Sequence, residues 1–267
     1  MKAQDHAPDG EIIVVKVGGS TLGEGDSTVP DIVTLRERGY RPVVVHGGGK
    51  LISNWMSRQG IMPEFVRGLR RTDKPTLDMA VAVLCGLVNT ELVAELISHG
   101  GSAIGFSGVS GGLLKAKMLG QELGLVGQIV AVDATLVLLA LAAGYIPVVA
   151  PAALHIEPSA DGTDRILNVN ADTSAGHLAA ALKASRLIFQ TDVEGVLDAK
   201  RRLIPQMTRS QALDVIASGV AAGGMIPKVE ACATAAASVG SGHIIDGRVA
   251  GALLDCVDRK PVGTRIV

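Results

Sequence analysis

Two short runs of mostly β-branched residues each end directly in glycine. Ile12–Val17 carries Lys16-Val17-Gly18-Gly19 at its end, and 42–46 runs into His46-Gly47-Gly48-Gly49. Apolar runs of this length, closed by glycine and followed by helical spacing, read as buried strands of an α/β fold. The alternation continues along the chain. Residues 73–99 hold long helical spacing, opened by Asp73 and Pro75 and stopped by Gly100 and Gly101, and 102–106 follows as a strand. Residues 172–184 read as a helix with Asp172 or Asn170 at its start. Arg186–Thr191 reads as a strand, 226–239 as an Ala-rich helix and 243–245 as a short strand. Such alternation predicts a mainly parallel central sheet sandwiched by helices. Hydrophobic residues make up 48% of the chain and aromatics only 2%, so its core is built from Val, Leu, Ile and Ala.

The 267 residues suffice for one large domain or two modest ones. The polar, turn-rich stretch 154–166 reads as a hairpin or as a boundary between two lobes. No internal repeat or low-complexity linker separates them, so the lobes are expected to be tightly joined. The division is placed at 1–165 and 166–267.

Several functions are disfavoured. A net charge of −1 gives no nucleic-acid footprint. Cys85, Cys232 and Cys256 are odd in number and far apart, which suits reduced thiols in the cytoplasm. The first eleven residues lack the apolar stretch of a secretory signal. Residues 134–154 carry no charge and are long enough to span a bilayer. Gly144, Pro147 and Pro151 interrupt them, so they read as a buried helix near 133–143 and a strand at 145–150. No membrane partner is expected.

Three glycine clusters carry the chemistry: the two above and Gly223-Gly224-Met225-Ile226-Pro227-Lys228. Glycine lets backbone N–H groups approach a ligand, and a helix N-terminus adds free donors and partial positive charge. The second cluster is expected to open a helix running through Ile52 to Gln59. Pro227 fits a first helical turn. Lys228 then sits near the positive end of its helix, an unfavourable place for a cation unless an anion is close. Taken singly, each cluster could be only a tight turn. Neither G-x-x-x-x-G-K-[ST] nor a strand-borne G-x-G-x-x-G is present. The six histidines are scattered, His46 at a strand end suits a hydrogen-bonded structural residue as well as a functional one, and no H-E-x-x-H or C-x-x-C occurs. No protein metal site is expected. Phosphoryl transfer needs none of these groups, only positioning and positive charge.

In order, KVGG, VVVHGGGK, GLRRTD, NVNADT, TDVEGV and GGMIPKVEAC resemble the amino-acid kinase family from about Ile12 to the last residue. The resemblance is strongest to its branch that phosphorylates N-acetyl-L-glutamate. It implies ATP with Mg²⁺ as cosubstrate, Mg²⁺ reaching the site with the nucleotide. The γ-carboxylate, already an anion at neutral pH, attacks the γ-phosphorus in line, so no general base is needed. The product is an acyl phosphate on the route to arginine. By the same resemblance Lys16 and Lys228 stabilise the transferring phosphoryl group and Asp172 holds both. Gly18, Gly19 and Gly47 supply phosphate donors, with Thr191, Asp192 and Gly224 at the nucleotide edge. Gly48, Gly49, Arg70 and Asn168 contact the acyl amino acid, which assigns the substrate to lobe 1–165 and the nucleotide to lobe 166–267. Arginine suits a carboxylate because its planar fork binds in bidentate fashion. Each position also has a plain reading: Asp172 as a helix cap, Arg70 and Arg71 as surface charges, Asn168 and Asn170 as turn residues.

Three departures accompany the resemblance. The stretch before the first strand is short and the final seventeen residues differ from arginine-inhibited hexamers, so a homodimer with weak or no arginine feedback is expected. Ser110 stands where relatives often carry aspartate. Two rival readings remain. One is a kinase of the same fold acting on α-aminoadipate or glutamate held on a carrier protein. The other is a sensor of nucleotide or amino acid without catalysis.

Overall fold

A computed structural model describes residues 10–18, 27–160, 162, 164–221, 223–238 and 240–267. The chain begins with β1 (Ile12–Val17), α1 (Thr28–Glu37), β2 (Arg41–His46) and α2 (Gly49–Arg58). The hairpin β3 (Phe65–Val66) and β4 (Leu69–Arg70) precedes α3 (Lys74–Val81). A π-helical stretch, Ala82–Val88, joins α3 to α4 (Asn89–Ser98). Then come β5 (Ala103–Ser107), β6 (Leu114–Met118), β7 (Gly127–Val132), α5 (Thr135–Ala142), β8 (Ile146–Ala150), β9 (Ala152–His155) and β10 (Ile166–Asn168). The remainder is α6 (Ala171–Ala181), β11 (Arg186–Thr191), β12 (Gln206–Met207), α7 (Arg209–Ala217), α8 (Met225–Ser238), β13 (Ser241–Asp246), α9 (Ala252–Val257) and β14 (Thr264–Ile266).

The main sheet has eight strands in the order β12-β14-β13-β11-β1-β2-β8-β5, and every neighbouring pair except β13/β14 is parallel. A second sheet has four strands in the order β10-β9-β6-β7. The fold is the expected α/β arrangement, with helices covering both faces. Strand parity explains how the faces differ. Val14 joins Val43, Val45 and Phe189 in the core beneath α6 and α8, whereas Ile13, Val15 and Val17 face the core formed with α1, α4 and α9. Side chains alternate across a strand. Lys16 therefore shares the face of Val14 and is directed toward α6 and α8. Its position near the end of β1 places it at the carboxyl edge of the parallel strands, where open α/β sheets bind ligands.

Residues 134–154 divide into α5, β8 and β9, and their most buried members are shared among three apolar cores. The turn-rich 154–166 segment closes a hairpin in which β9 pairs antiparallel with β10. One helical stretch among the described residues, Lys74–Ser98, is long and apolar enough to cross a membrane by length and composition, with 39% of its most apolar window buried.

Candidate functional site

Lys16, Asp172 and Lys228 meet where β1, α6 and α8 converge. Lys16 Nζ lies 2.8 Å from Asp172 Oδ1, and Lys228 Nζ lies 2.9 Å from Oδ2. Lys16 and Asp172 are 7% and 5% exposed. Burial works against the Asp172 charge, but the two ammonium groups outweigh it and hold the carboxyl below its ordinary range. Local structure places Asp172 there. Asn170 caps α6 by accepting the Asp172 and Thr173 amides at 2.9 and 3.0 Å. Asp172 falls in the first turn, where a negative charge suits the helix dipole. Lys228, in the first turns of α8, finds its anion in Asp172 and also donates to Gly224 O at 3.1 Å.

Beside this triad lies a cavity of about 240 Å³. Its lining includes Lys16, Asp172, Gly47, Gly48, Gly49, Arg70 and Asn168, so residues from seven sequence segments converge on one space. Gly47–Gly49 leads from β2 into α2, whose first amides have no earlier turn to bond to. Gly47 N–H is fixed by Val17 O at 2.9 Å. A Cβ on Gly48 would sit 2.7 Å from Leu84 Cδ2, so glycine is what allows the loop to press against the π-helical stretch.

Arg70 is 7% exposed and is held from several directions. Nη2 donates to Gly49 O at 2.8 Å and Ser53 Oγ at 2.9 Å, Nη1 contacts Met56 Sδ at 3.2 Å, and the guanidinium lies 4.8 Å from the Phe65 ring centre. Burial lowers the Arg70 pKa without threatening its charge. Three of its five N–H donors are thus engaged and two remain for a ligand. Asn168 donates to Thr72 Oγ1 at 3.1 Å, and Thr72 Oγ1 donates to Arg70 O at 2.8 Å, linking β10 to β4. Such a space, cationic at one end and with an arginine fork at the other, suits a small dianion whose reacting carboxylate faces the lysines.

Other expected positions lie apart from this cavity. Gly18 follows β1 at the same edge of the sheet, and Gly19 lies outside the described residues. Thr191 ends β11 beside it, but its hydroxyl is already engaged: Oγ1 lies 2.9 Å from Val193 O and 3.1 Å from Ile245 O. Asp192 and Gly224 are exposed at that edge. Ser110 does not line the cavity; its hydroxyl accepts the Ser107 amide at 3.2 Å. A larger cavity of about 460 Å³, lined by Glu11, Arg186, His243 and Arg265 among others, sits at the opposite ends of β11 and β13.

Sequence reasoning overlooked Ser53, Thr72 and Phe65, and it read Asn170 only as a helix start or turn. The signal for Asn170 was present, since an Asn two residues before a first-turn Asp is a capping pattern. Ser53 and Thr72 carried none, because their role is to hold Arg70 and Asn168 across the fold. Among the described residues, no group of three or more His, Cys, Asp or Glu could hold a metal. Both Asp172 oxygens are taken by lysines. These residues do not fit a protein-held Mg²⁺.

The model of the amino acid kinase family matches residues 11–246. Acetylglutamate kinase of Dehalococcoides mccartyi is 39% identical over 256 residues, covering 96% of this chain and 94% of that one. Acetylglutamate kinase of Thermosynechococcus vestitus is 44% identical over 253 residues, covering 92% and 84%. The crystal structure of smu.665 from Streptococcus mutans aligns with a TM-score of 0.80 at 29% identity, covering 96% and 98% of the two chains. With a family model spanning most of its length and relatives of this similarity over nearly their whole lengths, the chain belongs to the amino acid kinase family.

Proposed function

We propose that this protein transfers the γ-phosphoryl group of ATP to the γ-carboxylate of N-acetyl-L-glutamate, forming N-acetyl-L-glutamyl 5-phosphate for arginine biosynthesis. The observation that carries this reading is the buried Lys16–Asp172 pair, joined by the more exposed Lys228, at the wall of a cavity that Arg70 and Asn168 also line. The curated relatives named acetylglutamate kinase supply the substrate.

The residues divide the work as follows. Arg70 and Asn168 orient the α-carboxylate end of the acyl amino acid, leaving its γ-carboxylate near the triad. The attacking group is already an anion, so the protein need not remove a proton. Its task is to bring two anions together. Lys16 and Lys228 offset their repulsion and stabilise the charge on the transferring group, while Asp172 fixes both ammonium groups before the reactants arrive. The amides of Gly48 and Gly49, at the start of α2 and in the cavity wall, add donors. ATP enters from the edge formed by Gly18, Thr191, Asp192 and Gly224, carrying Mg²⁺ on its phosphates.

The acyl amino acid belongs to the part built mainly from residues 1–165 and the nucleotide to 166–267, with Asn168 and Asp172 reaching across. The enzyme works in the cytoplasm as a homodimer, without nucleic-acid or membrane partners. Support for self-association comes from the uncharged, exposed line Ala82, Gly86, Thr90, Ala94 and Ile97 on one side of the 74–98 helical stretch.

The test is hydroxylamine trapping of the acyl phosphate with Mg²⁺-ATP and each of four acceptors: N-acetyl-L-glutamate, L-glutamate, L-aspartate and N-acetyl-α-aminoadipate. Hydroxamate is expected with N-acetyl-L-glutamate and at background with the other three. Equal product from N-acetyl-α-aminoadipate, or none from any acceptor, contradicts the assignment and favours a carrier-bound substrate.

A further inference from the structure

Asn89 is the only buried side-chain amide in the described part of the 74–98 helical stretch, and it lies outside the cavity. Its Nδ2 is 3.0 Å from Val148 O and 3.1 Å from His46 Nε2. His46, fully buried, places Nδ1 3.0 Å from Gly47 O. Both ends of this chain are backbone carbonyls, which can only accept. The direction of every bond between them follows. Asn89 Nδ2 donates one proton to Val148 O and the other to His46 Nε2, so His46 carries its proton on Nδ1 and donates it to Gly47 O.

We infer that Asn89 is a positioning residue for phosphoryl transfer, which acts through His46 to hold the Gly47–Gly49 loop in its working geometry. The inference rests on the proposed role of that loop. Gly47 then has its N–H held by Val17 and its carbonyl by His46, while Gly49 O is held by Arg70. The peptide between Gly47 and Gly48 cannot rotate without breaking one of these bonds, and its N–H is one of the loop's free donors. Two features of the fold serve this arrangement. Asn89 directly follows the π-helical stretch Ala82–Val88, whose wider turns set the angle at which Asn89 leaves the helix. Gly105 on β5 leaves the space that Asn89 occupies, since a Cβ there would fall 2.0 Å from Asn89 Oδ1.

Two substitutions test this separately. Asn89→Leu removes the donor to Nε2, and Gly105→Ala leaves Asn89 intact but displaces it. The ring tautomer is read by ¹⁵N NMR of His46, which needs no turnover and stays informative even if the acceptor is not N-acetyl-L-glutamate. Wild type is expected in the Nδ1–H form. In both variants the Nε2–H form should become populated, with kcat reduced about tenfold or more, the order expected when a catalytic group is slightly misplaced. KM for both substrates should stay within about threefold, because the loop's donors matter most when charge develops in the transition state. A purely structural Asn89 would lower thermal stability while leaving tautomer and kcat unchanged, and that result would overturn the inference. Wild type in the Nε2–H form would overturn it without any variant.

Discussion

On one side of Asp172 the protein holds its own walls; on the other, side chains meet solvent. The cavity proposed for the acyl amino acid is internally braced. Arg70 bonds Gly49 and Ser53, Asn168 bonds Thr72, and Thr72 bonds Arg70. Lys16, facing this side, has 9% of its side chain exposed. Toward the proposed nucleotide edge Gly223, Gly224, Asp192 and Glu194 are exposed, and Lys228 has twice the exposure of Lys16, at 18%. On the proposed assignment of the two sides, the contrast follows from the ligands. A small acyl amino acid supplies little binding surface, so its site must be ordered beforehand. ATP is large and charged, and its own phosphates complete the other side.

The largest effect should come from the lysines, where the two sides meet. Lys16→Ala is expected to reduce kcat on the order of 10²–10³-fold, by analogy with other preorganised charge-stabilising donors. Steady-state turnover within a few-fold of wild type would remove Lys16 from the chemistry. Next is Asp172→Ala, which leaves two ammonium groups facing each other in a largely buried site. Breaking a buried ion pair by removing one partner costs about 3–5 kcal/mol. Urea unfolding should show that loss, and kcat should fall with it.

Arg70→Lys sharpens the comparison on the braced side. A lysine cannot reproduce the fork that engages Gly49 and Ser53 while binding a carboxylate. KM for the acyl amino acid should rise about 10- to 100-fold, the loss expected for a charge-assisted hydrogen bond, with KM for ATP within about threefold. A rise confined to ATP would reverse the assignment of the two sides.

How far the sequence foretold these sides differs between them. The strand-ending lysine, the HGGG loop and Asp172 were legible because each sits where a local pattern ends: a strand, a turn or a cap. The helix read at 226–239 is Met225–Ser238, and Arg186–Thr191 is a strand as expected. Long-range braces left no such mark. Ser53 and Thr72 are ordinary polar residues until the fold brings Arg70 and Asn168 beside them. The 73–99 stretch reads as one helix, yet contains the π-helical Ala82–Val88, because residue spacing in a short apolar run does not encode a widened turn. The small sheet was missed except for its hairpin. Leu114–Met118 does alternate, with Leu114 and Ala116 buried and Lys115 and Lys117 more exposed, but five residues are a weak period.

His46 provides a smaller test, through pH. Burial is the main cause that lowers its pKa to about 4, Lys16 adds to it, and the Gly47 hydrogen bond opposes it. The folded ring stays neutral while the unfolded ring protonates below its ordinary value of 6.5. Between those values the unfolded state binds more protons, so stability falls as pH drops from 6.5 toward 4, by roughly 3 kcal/mol over the full window. Urea unfolding at pH 7, 6 and 5 should show this slope added to that of His243, whose pKa burial also lowers to about 4, and His46→Asn should reduce it by the His46 share. Thr191→Val is expected to do least. Its hydroxyl is spent on Val193 and Ile245, so the loss should be about 1 kcal/mol in unfolding, with KM for ATP within about threefold.

On the proposed assignment, the acyl side is built before substrate arrives and the nucleotide side is completed by ATP. Hydrogen–deuterium exchange, measured with N-acetyl-L-glutamate alone and with a non-hydrolysable ATP analogue alone, tests it most directly. The acyl amino acid should bind the nucleotide-free protein and leave exchange across residues 45–72 nearly unchanged. The ATP analogue should slow exchange across residues 223–232. Strong protection of 45–72 by N-acetyl-L-glutamate, or binding of it only when nucleotide is present, would contradict the account.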